Sequence, residues 1–339
     1  MPFARRDARS KAIAGFWHWW PGARGRIEAA INSGEWGDLP DEVGNRIAAI
    51  HPDLQWEFTR GGTASHALIV TAAGVPELRA AAARWHAAAP AADRTWEYHR
   101  TRQPDPAFRT VMLNLAGHEI RLQDTRFAFL LDPDRCEIDV VCHHPVFAEA
   151  PEEVQRQVPF LVLDWLLGEE AVELWIGGVA PQRTLPDDAL PPQALAEQVA
   201  QLAAEYAKPV WALVTARDRE GYPMLATIVR PLKSARWPRF DTHLAICLPY
   251  QQNSTGLPTD DALRELRAFE DRLTATLGSD GELVAHESHR GRRTLHVYAD
   301  DESAIPQLVQ RAAATWPGRN ATVSRERDPA FTAVAHLRP

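Results

Sequence analysis

LPTDDALRELRAFEDRLTATLGSDGELVAHESHRGRRTLHVYADDESAIPQLVQRAAATWPGRNATVSRERDPAF, Leu257–Phe331, decides the fold when set beside an earlier part of the same chain. The earlier part runs LPDEVGNRIAAIHPDLQWEFTRGG (Leu39–Gly62), ALIVTAAGVPELRAAAARWHAAAP (Ala67–Pro90) and TWEYHRTRQPDPAF (Thr95–Phe108). Leu39-Pro40 answers Leu257-Pro258, each ahead of a helical pattern with acids in its first turn, where they suit the helix dipole. Arg60-Gly61 answers Arg290-Gly291, each in a turn between two short alternating strands. Val75-Pro76 answers Ile305-Pro306, with proline placed where a helix starts. Both stretches then carry a tryptophan near the helix end (Trp85, Trp316), a short strand and Asp-Pro-Ala-Phe. Five pairings in one order imply two related modules.

Each module reads helix, strand, strand, helix, strand. In the second, FDTHLAICL (Phe240–Leu248) adds a leading strand and completes βαββαβ, the ferredoxin-like order with two helices on one face of an antiparallel sheet. The first module has FWHWWPGARGRIEAAINSGEW (Phe16–Trp36) in that place, an aromatic anchor followed by a helix. Between the modules, TVMLNL, RFAFLL, CEIDVVC and AVELWI read as strands, with a helix around EEVQRQVPFLVLDWLLG kinked or restarted at Pro159. The expectation is an α+β protein of duplicated ferredoxin-like modules with antiparallel sheets, plus a strand-rich segment. Its domains are an N-terminal α+β domain over 1–180 (module one 37–108, strand-rich segment 109–180), a proline-rich connector and helix over 181–208, and a C-terminal ferredoxin-like domain over 209–339.

A resemblance supports the C-terminal reading. DTHLAICLPYQQNSTGLPTDDALRELRAFEDRL and GRRTLHVYADD resemble the bacterial family catalogued as domain of unknown function 695. The likeness rests on a strand entering an Asn- and Gly-bearing loop that ends in proline, on a helix carrying Glu270-Asp271, and on the strand Gly291–Tyr298. It spans roughly Trp211 to Phe331, and the first half, with FWHWW and FLVLDWLLGEE, resembles the region that accompanies this domain in longer bacterial proteins. That family is similar in turn to the regulator of ribonuclease E activity B, a small acidic ferredoxin-like protein that binds and inhibits an RNA-degrading enzyme. The resemblance implies a non-enzymatic regulator and carries over no catalytic residue.

Composition sets the remaining bounds. The 339 residues are 45% hydrophobic and 24% charged, with a net charge of −8, which fits a folded polypeptide and argues against general nucleic-acid affinity. No apolar run reaches membrane-spanning length, no leader pattern opens the chain, and three cysteines form no disulfide framework, so a cytoplasmic setting is expected. Only Lys11, Lys208 and Lys233 stand among 37 basic residues, a bias that removes any special meaning from a single arginine.

The candidates for chemistry are few, and the chain lacks nucleotide, nucleophile-elbow and zinc-protease motifs. CEIDVVCHHP places Cys136 and Cys142 on one strand face, followed by His143-His144, and is read as buried thiols without metal, because converging ligands are too few. HESH (His286–His289) is read as surface histidines, and Gly61-Gly62 and Gly177-Gly178 as turns. The loop YQQNSTGLP offers Asn253, Ser254 and Thr255 ahead of a helix capped by Thr259. From Asp132 to Glu173 eleven acids stand against Arg135 and Arg156, whereas Arg217–Arg239 holds six bases. The leading expectation is therefore a binding or regulatory protein without cofactor or metal. It would dock a basic protein partner through an acidic face that includes Glu149, Glu152 and Glu153. The alternatives are a hydrolase with a site near Asn253 or Cys142–His144, and an RNA-binding module.

Overall fold

The computed structural model describes residues 2–318 and 320–338, and it is mixed α+β with several small sheets. The chain divides into two compact units, Met1–Gln103 with Gly168–Glu170, and Pro104–Leu167 with Ala171–Pro339.

In the first unit, helix α1 (Pro2–Ser33) runs unbroken past Pro21. Its buried residues Ile13, Phe16, Trp20, Ala23, Ile27 and Ala30 recur every three or four positions, which puts them on one stripe. That stripe meets Val43, Ile47 and Ile50 of α2 (Leu39–Ile50) in a common core. Strand β1 (Gln55–Arg60) pairs antiparallel with β2 (His66–Thr71). Helix α3 (Pro76–Ala87) then carries the chain to β3 (Trp96–His99), which lies directly beside β2 and parallel to it. The aromatic anchor belongs to this core. Trp20 Nε1 donates to the Tyr98 hydroxyl at 2.8 Å and Trp17 Nε1 donates to the Trp85 carbonyl at 2.9 Å.

The second unit opens with the hairpin β4 (Met112–Leu115) and β5 (His118–Arg121), followed by β6 (Arg126–Asp132) and β7 (Glu137–His143). Helix α4 (Glu152–Leu167) keeps Pro159 within its length. The next element corrects the sequence reading. AVELWI is not a strand; its first five residues belong to helix α5 (Glu169–Trp175), and β8 (Ile176–Pro181) begins only after them. A short apolar run fits either period, and here Gly168, at φ 78°, ends α4 while Glu169-Glu170 supply the acidic first turn of a new helix. Gly177-Gly178, expected as a turn, lie inside β8. A Cβ on Gly177 would stand 2.4 Å from Asp139 Oδ1 and 2.8 Å from Glu137 Oε2, so a larger residue there would have to push these carboxylates aside.

Helix α6 (Pro192–Glu205) buries Leu195, Val199 and Leu202 in the core shared by β6, β7 and α4. After it come β9 (Val210–Arg217), β10 (Pro223–Arg230), β11 (Thr242–Pro249), α7 (Asp260–Leu277), β12 (Gly281–His289), β13 (Arg292–Ala299), α8 (Ile305–Ala313) and β14 (Thr322–Arg327). These strands form one sheet in the order β14-β11-β13-β12-β10-β9, every neighbouring pair antiparallel. Thr259 caps α7, its hydroxyl accepting from the Ala262 amide. The β12–β13 turn uses Arg290 and Gly291 at φ 44° and 75°, the left-handed pair that suits a two-residue hairpin. From β11 to β14 the order is strand, helix, strand, strand, helix, strand, and β11 stands between β13 and β14. In the first unit no strand separates β2 from β3.

Candidate functional site on the C-terminal sheet

The six-stranded sheet has two unlike faces. Leu244, Ile246, Leu248, Leu295 and Val297 point one way and pack under α7 and α8 with Phe269, Leu273 and Val309. Alternation along β11 and β13 turns His243, Ala245, Cys247, Thr294, His296 and Tyr298 the other way. A smaller core with Ile228, Ala285, Phe331, Val334 and Leu337 covers part of that second face around Tyr298.

Beside this core a line of polar side chains crosses the sheet. Glu326 on β14 sits opposite His243 on β11, and its carboxylate lies 3.1 Å from His243 Nδ1. His243 Nε2 is 3.0 Å from His296 Nδ1 on β13, and the two rings are tilted by only 12°. His296 Nε2 is 3.2 Å from a Glu287 oxygen on β12, and His336 Nε2 lies 3.4 Å from the other oxygen of the same carboxylate. Both central histidines are buried. Burial holds His243 below the usual histidine range, against the pull of Glu326. Hydrogen bonding to His296 keeps Glu287 below the usual carboxylate range.

One end of the line is fixed by the second Asp-Pro-Ala-Phe. Asp328 accepts from the Tyr298 hydroxyl at 2.6 Å and from Thr332 and Ala333, which starts the 3₁₀ turn Thr332–Leu337. Burial and then the hydrogen bond to Asp328 push the Tyr298 phenol well above its ordinary range. Phe331, in a left-handed conformation at φ 59°, stacks on the Tyr298 ring. The first Asp-Pro-Ala-Phe also starts a 3₁₀ turn, with Asp105 capping Pro106–Arg109 and Phe108 buried.

At the far edge of the sheet β9 pairs, among the described residues, with β10 alone. Ala212 and Val214 turn toward the smaller core, and the alternate residues Trp211 and Leu213 stand 44% and 67% exposed. Trp211 lies over the His286 ring, whose Nδ1 is 3.3 Å from Glu270 on α7. His289 meets Asp218 at 2.9 Å. The two histidines of HESH are thus half-buried and engaged, because α7 and the β9–β10 turn bring carboxylates to them, and are not free surface groups.

The positions singled out from sequence are dispersed. Asn253 Oδ1 accepts from the Thr255 amide and hydroxyl and from the Leu257 amide, so Asn253 and Thr255 hold their own loop together; Ser254 is exposed beside them. Cys136 and Cys142 are buried, and burial raises the Cys142 thiol far above its ordinary range. His144 Nδ1 accepts from the Val146 amide while its Nε2 faces the Arg121 carbonyl. Among the described residues no three His, Cys, Asp or Glu side chains converge as metal ligands would.

Nor do the acids of Asp132–Glu173 share one environment. Arg135 bridges Asp132, Glu137 and Asp139. Lys233 meets Glu137, and Arg230 donates to the carbonyls of Pro133 and Asp134. Glu169 is buried in the first unit. Glu149, Glu152 and Glu153 are exposed at the head of α4, with Arg156 3.8 Å from Glu152.

The His243–His296 line was not singled out from sequence. The available signal was a histidine within each of two strands of a βαββαβ pattern, on the face opposite their leucines. No helix among the described residues is long and apolar enough to cross a membrane. Comparison with protein-family models, with curated proteins and with solved structures finds no match to this chain.

Proposed function

We propose that this chain is a non-enzymatic binding or regulatory protein whose partner adds an extended segment to the β9 edge. One observation carries the reading: an eight-residue strand ends a six-stranded sheet, paired on one side only, with Trp211 and Leu213 exposed along it. Folded proteins ordinarily blunt such edges with charge, proline or a bulge, since an open apolar edge pairs with other chains. In strand addition the backbone groups supply affinity and the flanking side chains supply selectivity. The exposed carboxylates Glu149, Glu152 and Glu153 favour a basic partner and would speed its approach at low salt.

The sheet order supports a ferredoxin-like module between β11 and β14. The common order of α2–β3 and α7–β14 supports a duplication whose first copy lacks the leading strand, so that β3 closes directly on β2. The resemblance to family 695, and through it to a nuclease regulator, points by analogy to the same class and to a cytoplasmic setting.

Hydrogen exchange of the pure protein, with and without partners captured from an extract of the source organism, tests the reading. Slowed exchange at Val210–Arg217 in the complex, and loss of capture on Leu213→Arg, are the expected results. Unchanged exchange along β9, with protection elsewhere, would overturn it.

A further inference from the structure

The line Glu326, His243, His296, Glu287 contains three contacts of 3.0–3.2 Å, and each contact needs one hydrogen. Both ends are carboxylates, which only accept when ionised. The three hydrogens must then come from the four ring nitrogens, and two neutral imidazoles carry only two. The near-coplanar rings, with centroids 5.2 Å apart, suit a bond made edge to edge in the ring plane. We propose that the His243–His296 pair is a proton-binding site that holds one proton in excess of two neutral imidazoles, shared across the Nε2···Nδ1 contact and clamped by Glu326 and Glu287.

The proton has two places. Either His243 carries hydrogens on both nitrogens and donates to His296 Nδ1, or His296 carries both and donates to His243 Nε2. Transfer along the 3.0 Å contact exchanges the two arrangements and leaves the outer bonds in place. Burial of His243 favours the arrangement in which that ring is neutral. The titratable groups facing the pair are Glu326 from β14, Tyr298 from β13, Asp328 beyond β14, Glu287 from β12 and His336 from the terminal turn. Three of these five are carboxylates, whose pull on the added charge opposes the burial that lowers His243. When the proton leaves, one contact loses its hydrogen. Two lone pairs then face each other, or a lone pair faces a carboxylate, and the line has to open. Glu287 also meets His336, so the opening reaches the turn Thr332–Leu337, whose Val334 and Leu337 fill the smaller core. The C-terminal turn is thereby coupled to proton occupancy on this face.

Long-range nitrogen–proton correlation spectra of the ¹⁵N-labelled full chain count protonated ring nitrogens directly. At pH 7 three of the four nitrogens of His243 and His296 should carry protons. Raising the pH should take the count to two in a single step sensed by both rings at one midpoint. Glu326→Gln, at an exposed position on the outermost strand, should lower that midpoint by about 1 unit or more. Two protonated nitrogens at pH 7, or two separate midpoints unaffected by Glu326→Gln, would overturn the proposal.

Discussion

Nζ of Lys233 lies 2.7 Å from a carboxylate oxygen of Glu137, and both side chains are mostly buried. Burial lowers the lysine below its ordinary range while Glu137 draws it back. A residue of the basic stretch Arg217–Arg239 has thus taken one carboxylate of the acidic segment largely out of solvent. Breaking a buried pair leaves an uncompensated charge, although Arg135 remains 3.2 Å from Glu137 and softens the loss. Lys233→Met should destabilise the protein by about 1–3 kcal/mol in urea titration, and Glu152→Gln by less than about 0.5 kcal/mol.

The aromatic anchor should behave as core. Trp20 is fully buried and bonded to Tyr98, whereas Trp19 is only half-buried with Arg46 over its ring. Trp20→Ala should cost about 3–5 kcal/mol, and Trp19→Ala clearly less, as read from thermal melts. Equal effects would contradict the packing described for α1.

Acid should weaken the first unit through Glu97. Its carboxylate accepts from the amides of Gly62, Thr63 and Ala64, from the Thr63 hydroxyl and from His99. Burial opposes the charge, but these bonds win and hold Glu97 well below its ordinary value of 4.5. The ionised form therefore favours folding. Its contribution is whole above the ordinary carboxylate value and is lost as pH falls from there through the lower folded value. Between about pH 5 and pH 3 the denaturation midpoint should fall more steeply for the native protein than for Glu97→Gln.

Thiol chemistry should separate the cysteines. Cys136 and Cys142 are buried, with Cys142 held as thiol, while Cys247 is partly exposed on the sheet face beside the histidine line. Under native conditions an alkylating reagent should reach Cys247 first, and the other two should follow only on unfolding. Rapid native labelling of Cys142 would contradict its placement.

Much of the element order was legible because periodicity, prolines and caps are local properties. The strands at Gln55–Arg60 and His66–Thr71, the helix at Pro76 and the Thr259 cap all follow from them. The histidine line was hidden because His243 and His296 meet only through the register that sets Ala245 opposite His296. The acidic segment divides for a related reason: charges adjacent in sequence fall on alternate strand faces, turns and helix ends, so only part of the run, including Glu149, Glu152 and Glu153, is exposed. AVELWI failed because six residues are too few to tell a period of two from one of 3.6.

Glu169 gives the first unit an order of assembly. Its carboxylate receives the Thr71 hydroxyl at 2.6 Å and the amides of Gly74 and Arg102 at 3.1 Å, yet it lies far beyond Gln103 in the chain. A ribosome making about 5–20 residues per second delivers it several seconds after the strands it anchors. During synthesis those donors lack this acceptor, and the nascent N-terminal unit gains it only once Glu169 has left the exit tunnel.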